Sequence, residues 1–452
     1  MKKLLLSFSL LFAFMSVNAQ QTFWEEYSTG FVNTSTTFRQ ASYVDANTIW
    51  AIGGAGDGSG EQYQLWARSL DGGLTWTNGA INLGNTNIAI GCIYGMTATK
   101  AYIAGFPNAA GVTGGIWVTE DAGVTWTRQN TASFNTGSDS FTNVVHFFDA
   151  NNGVCMGDPA SGYFEIYTTT NAGVNWTRVP SANIPAPLSG EYGYTYGLET
   201  FGDIIWLNTN KGRLLKSTDH GLTWTVSQTP SSDFGTSDSY SFRNANEGVL
   251  ILNADWTQHR TLDGGATWTA ETPEGLNRNF DICFVPGTCD NVVLCTGEDV
   301  IDGFRGSSYS TDGGLNWIDI NAVDIDPVNG GGVLEFFDPT HGLASGFTTS
   351  STFGGVWIWI NDACSLGLAN ESFSNDKAFT ASPNPTSGLV TIAGKGISNV
   401  VITDVLGKQV ANTNFTSVES ATIDMSSYNA GVYLVKVTNA NGNASTIKVV
   451  RQ

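Results

Sequence analysis

The sequence predicts an all-β chain, a seven-bladed β-propeller followed by a small β-sandwich. Three observations carry this. An eight-residue motif returns six times at near-constant spacing. A seventh unit lacks the last strand of its repeat, and the start of the chain supplies a strand of the same kind. Glycine is abundant, 53 of 452 residues, Lys and Arg together number only 20, and no long stretch has the period of an amphipathic helix.

The motif first reads Ser69-Leu-Asp71-Gly-Gly73-Leu-Thr75-Trp76. Its later copies begin at Thr119, Thr169, Ser217, Thr261 and Ser310, 44 to 50 residues apart. Each residue type has a job. The Asp or Asn accepts bonds from backbone N–H groups of its own turn. The glycine takes the positive φ of a tight turn. The Trp opens the next strand and packs between sheets. Upstream of the motifs lies a second pattern of strand, polar turn and strand, as in Asp45–Gly53, Asp149–Gly157 and Asn244–Leu252. Its seventh copy, Asp338–Gly346, runs into Gly354-Gly-Val-Trp-Ile-Trp-Ile-Asn361 with no motif after it. Thr22–Ser28 resembles the strands that follow the motif. It is expected to complete the last blade by pairing with 355–361, which removes the open edge of the ring.

The ends of the chain read differently. Lys2 and Lys3, the apolar run Leu4 to Met15 and Val17-Asn18-Ala19 form a secretory signal peptide over 1–19. The propeller is expected over 20–362, a polar linker over 363–379 and the second domain over 380–452. No later run is long and apolar enough for a membrane span. Without Lys2 and Lys3 the balance is 18 basic residues against 40 acidic, a net charge of −22. Such a surface repels phosphate backbones, so no nucleic-acid partner is expected.

No cofactor or metal site is expected. Cys92, Cys155, Cys283, Cys289, Cys295 and Cys364 lack the paired spacing of a zinc site, and buried thiols with one disulfide fit an oxidising compartment better. The four histidines share no ligand spacing. Asp324-Ile-Asp326-Pro-Val-Asn329-Gly330 lacks the closing glutamate of a calcium loop. No nucleophile elbow or phosphate loop is present.

The motif resembles the Asp-box, or BNR repeat, whose role is structural. This resemblance implies that ligands meet the opposite face, built from loops between second and third strands and from loops linking blades. On it the candidate residues are Arg39, Asp57, Glu61, Asp158, Tyr194, Arg243, Trp256, Glu298, Asp299 and Arg305, with Glu191 and Tyr192 beside Tyr194. None is assigned a catalytic role. Sialidases share the motif, and Phe38-Arg39 opens blade 1 much as their Phe-Arg-Ile-Pro segment does. Gln40-Ala41 replaces Ile-Pro, Arg243 is the one candidate for a second arginine, and no third arginine or Glu–Tyr pair can be assigned. Seven such blades look more like the photosystem II assembly-factor and sortilin-type propellers, which bind proteins or peptides. A non-catalytic scaffold binding a protein or glycan is therefore the first reading, and a glycoside hydrolase of sialidase-like type the alternative.

The C-terminal segments are Ser382-Pro-Asn-Pro-Thr386, Val401-Ile-Thr-Asp404-Val-Leu-Gly407-Lys408, Gly431-Val-Tyr433-Leu-Val-Lys436 and Thr446-Ile-Lys448-Val-Val-Arg451. They resemble the type A sorting domain of type IX secretion in the Bacteroidetes. The resemblance implies the secretion machinery as a partner, export through the periplasm, and release or attachment at the cell surface.

Overall fold

The computed structural model describes residues 22–134, 141–236, 238–287, 291–298, 305–320, 333–366, 379–404, 408–439 and 444–452. The signal segment, Cys289, Asp299 and the 324–330 loop lie outside them. The chain divides into two compact units, with the boundary between residues 367 and 368.

The first unit is seven four-stranded antiparallel sheets. Blades 1 to 6 span residues 36–80, 88–128, 142–178, 193–228, 239–271 and 281–319, each in simple sequential order. Blade 7 takes three strands from 334–359 and its outer strand from Trp24–Ser28, which pairs in register from Trp24 opposite Trp359 to Ser28 opposite Gly355. The first strand of each blade touches the first strand of the next, and Thr36–Tyr43 of blade 1 touches blade 7, so the ring closes around an axis lined by first strands.

The six motif copies build the same turn. In the first, Asp71 Oδ1 accepts the N–H of Thr75 at 2.8 Å and Oδ2 accepts its hydroxyl at 2.6 Å, while Ser69 Oγ accepts the N–H of Gly73 at 2.8 Å. Asp263 repeats these contacts with Thr267, and Asn316 answers Asp312 through its amide. Gly73 has φ +96, a conformation side-chain-bearing residues rarely adopt, and it sits against the tip of Ile358 of blade 7. The motif tryptophans fill the space between sheets: Trp176 joins Phe147, Tyr167 and Val154 in one buried cluster.

The expected linker over 363–379 is structured at both ends. Ala363–Ser365 forms a 3-10 turn, the Ala363 N–H bonds Pro339 O at 2.8 Å, and Leu366 is buried with Trp24 and Trp359. Phe379 opens the first strand of the second unit. Apolar Ala363 and Leu366 find a groove in blade 7 that their polar neighbours conceal in the sequence. Cys364 is in a disulfide, and Cys92, Cys155, Cys283 and Cys295 are free thiols.

The second unit is a small β domain of five antiparallel strands. Its strand Leu389–Asp404 pairs with Gln409–Asp424 on one edge. On the other edge it pairs first with Phe379–Ser382 and then, past a register shift near Ile397, with Gly431–Asn439. Ala444–Arg451 pairs with Gly431–Asn439 and touches Phe379–Ser382, closing the strands over Val390, Ile392, Val400, Ile402 and Val435.

Candidate functional site on the loop face

Gly72 N–H bonds Asn47 O at 2.9 Å, which puts the repeat turns and the first hairpins of the blades on one face. The remaining loops occupy the opposite face. Two groups of predicted residues come together there.

The first group lies at blades 3 to 5. Asp158 Oδ1 accepts the Asn143 amide at 2.8 Å and the Gly193 N–H at 3.1 Å. Burial pushes its carboxyl up to about 6 despite both donors. Next along the chain, Tyr194 donates its hydroxyl to Asp233 at 2.6 Å and meets the Tyr192 ring edge-on at 5.5 Å. Burial and the Asp233 bond push that phenol upward. Asp158 and Tyr194, far apart in sequence, thus flank Gly193.

The second group lies at blades 5 and 6. The Trp256 indole N–H donates to Glu298 O at 3.1 Å, and Arg305 pairs with Glu298 at 3.2 Å while its guanidinium sits 5.2 Å over Phe280. Asn277 donates to Trp256 O at 3.1 Å, and Asn279 bonds both Asn253 and the Glu298 N–H. Trp256 has φ +58, a left-handed conformation costly for a bulky residue. Its ring is half-buried against the next blade.

The other candidates separate from these groups. Arg39 is the bulge residue of its strand. It folds over Gly54 and donates to Ala55 O at 2.6 Å, so it braces blade 1. Asp57 and Glu61 stand on an exposed loop, with Asp57 accepting the Ser59 N–H at 2.9 Å and held low by its bonds to Ser59. Arg243 is a correction. It follows the strand Ser239–Phe242 in the first hairpin of blade 5, on the repeat-turn face, where it pairs with Glu247 and Asn291. An arginine at the end of a first strand reaches whichever face that strand ends on, and this one ends on the turn side.

Glu191 also serves the fold. It is buried under Arg213, which donates to it at 2.9 and 2.5 Å, and it accepts the Thr209 hydroxyl at 2.8 Å. Sequence reading passed over Asp233, Asn277, Asn279 and Phe280. The run Asn277-Arg278-Asn279 was the available signal: three polar residues in a row, all buried, with Arg278 bonded to Ser308 Oγ, Gly297 O and Asp319. On the repeat-turn face, a cleft of about 580 Å³ between blades 2 and 3 is lined by Lys100, Tyr102, Asp121, Arg128 and Val174.

Residues 381–452 match the secretion system C-terminal sorting domain. The chain is therefore exported by type IX secretion, to the cell surface or beyond it. No curated protein matches the sequence. Among solved structures, the chain is similar to YCF48 bound to D1 peptide, at 15% identity and TM-score 0.52 over 76% of this chain and 98% of that one. It is similar to YCF48 from Cyanidioschyzon merolae at 15% identity and TM-score 0.50, over 75% and 99%. The sialidase of Trypanosoma rangeli, in complex with 2,3-difluorosialic acid, aligns at 12% identity and TM-score 0.38 over 91% and 83%. The YCF48 likeness is one of fold.

Proposed function

We propose that the propeller is a non-catalytic binding module, delivered by its sorting domain, whose protein or glycan partner meets the loop face at blades 5 and 6. The observation that carries this is the Trp256–Glu298–Arg305 network. It combines an aromatic ring held in a strained backbone with a partly exposed ion pair and a set of amides. Strain held in place by surrounding bonds is characteristic of sites selected for binding geometry. Trp and Arg are the side chains that most often dominate recognition. The YCF48 structure described with a D1 peptide supports a peptide as one class of partner for this fold.

The hydrolase reading rests on Asp158, whose raised carboxyl suits a general acid. Asp158 is engaged by the Asn143 amide and the Gly193 N–H, bonds that tie blade 3 to blade 4 and support a bracing role over turnover. The deciding experiment screens the mature chain against a glycan array, a peptide library and chromogenic glycosides. Binding without turnover, weakened about tenfold or more by Trp256→Ala, is the expected result. Turnover abolished by Asp158→Asn would replace this reading with the hydrolase.

A further inference from the structure

Of the six cysteines, Cys92, Cys155, Cys283 and Cys295 are free thiols, and Cys364 is in a disulfide. Within one chain the partner left for Cys364 is Cys289, which lies outside the described residues. Burial keeps the four free thiols out of such chemistry. It pushes Cys92 up to about 11 and Cys295 up to about 12, and it raises Cys155 and Cys283 as well. Little of the thiolate that attacks a disulfide is then present at these positions.

The geometry of described residues leads to the same pair. The turn after a blade's third strand lies against the first hairpin of the preceding blade. In blade 4, His220 of this turn stacks on Phe148 of blade 3 at 4.7 Å. In blade 1, a Cβ on Gly72 of this turn would lie 3.9 Å from the His341 ring of blade 7. Blade 7 has no motif copy, and Ala363 stands in this place. Its N–H bonds Pro339 O at 2.8 Å, as Gly72 N–H bonds Asn47 O at 2.9 Å in blade 1. Cys364 follows, half-buried, its N–H bonded to Asp362 at 2.9 Å. The preceding hairpin is that of blade 6, where Val285 N–H bonds Val292 O at 3.0 Å and the chain between them carries Cys289. Gly287 of that hairpin lies against the Pro339 ring, which a Cβ on it would approach to 3.1 Å. Pro339 is thus met both by the residue before Cys364 and by a close sequence neighbour of Cys289.

We infer that Cys289 and Cys364 form a cross-link that ties blade 7 to blade 6 on the repeat-turn face, made once the chain has left the reducing cytoplasm. It stands where blade 7 lacks the hydrogen-bonded turn of the other six blades, just before the boundary with the sorting unit. The N-terminal strand closes blade 7 through hydrogen bonds, and the cross-link holds the third strand of the same blade covalently. The step is a thiol–disulfide exchange. One thiolate attacks a protein disulfide of the oxidising periplasm and forms a mixed disulfide. The second thiolate displaces it, which makes the new S–S bond and leaves the oxidant as its dithiol, with the two protons taken up there. The closed loop has fewer unfolded conformations, so the blade is harder to open.

The test is disulfide mapping of the exported protein by alkylation before reduction, proteolysis and mass spectrometry. One linked peptide pair is expected, joining Cys289 to Cys364, with the other four cysteines alkylated only after unfolding. A chain expressed without residues 1–19 and kept in the cytoplasm should yield both as alkylated thiols. Exported Cys364→Ser and Cys289→Ser should each melt about 5 °C below the parent, the double variant no lower, and dithiothreitol should remove the difference. Cys364 recovered from exported protein as a free thiol, or linked to any other cysteine, would overturn the inference. So would a cross-link already complete in the cytoplasmic chain, or single variants as stable as the parent.

Discussion

Trp24 and Trp359, from opposite ends of the propeller sequence, stand opposite each other across the closing strand pair. Their rings meet edge-on at 5.1 Å. Trp24 also donates its indole N–H to Ser307 Oγ of blade 6 at 3.0 Å, so one side chain ties the N-terminal strand to two blades. Trp24→Ala leaves a cavity between sheets and removes the bond to Ser307. It is expected to cost about 3–5 kcal/mol in chemical denaturation. Deleting residues 20–30 should cost more, because the strand Phe353–Trp359 then becomes an open edge. A deletion as stable as the parent would mean the closing strand is dispensable.

Two arginine–carboxylate pairs should respond very differently. The Glu191 side chain is fully buried under Arg213, whereas Glu298 and Arg305 are 36% and 38% exposed. Arg213→Met strands a buried charge and is expected to destabilise by about 3–5 kcal/mol. Arg305→Met should change stability by less than about 1 kcal/mol and act on partner binding instead. Denaturation midpoints of both variants decide this.

The axial carboxyls make stability fall as pH rises. Burial first, then the Asp281 charge, raise Glu335 from its ordinary 4.5 to about 8, and burial raises Asp281 from 3.8 to about 6. A carboxyl raised on folding binds its proton more tightly in the native state. Its contribution is complete below the unfolded value and is lost as pH climbs through the folded one. Glu199 is raised by burial first and then by the Glu335 charge, and so acts in the same direction. The propeller is therefore expected to lose stability between about pH 4 and about pH 8. The loss from Glu335 should be about 1–2 kcal/mol, below the full linkage value because channel water screens it. Glu335→Gln should flatten the profile of Tm against pH, and an unchanged slope would assign it to other groups.

Removing residues 379–452 should leave the propeller folded with its own transition, because its core and that of the second unit are separate apolar clusters. The shortened chain should be retained in the periplasm, as assessed by cell fractionation. Its normal delivery to the surface would show that the propeller carries export information of its own.

Much of the molecule is legible in the order of its residues. The side chains of the repeated Asp or Asn residues bond within their own octapeptides, so the turns and their spacing are local facts. The unmatched strands at Thr22–Ser28 and Gly354–Asn361 announced the closure because a sheet edge needs a partner. The candidate site was legible in parts. Trp256, Glu298 and Arg305 stood out as aromatic and charged loop residues, but Asn277 and Asn279 read as ordinary polar residues until two blades brought them beneath the tryptophan. Arg243 and Glu191 showed the reverse, since type alone could not say which face or which partner they would meet. The axial acids Glu199, Asp281 and Glu335 lie scattered along the chain, and nothing local marks them. Their raised protonation is a property of the closed ring: only closure brings the first strands of blades 4, 6 and 7 around one axis, where burial and one another's charge raise the carboxyls.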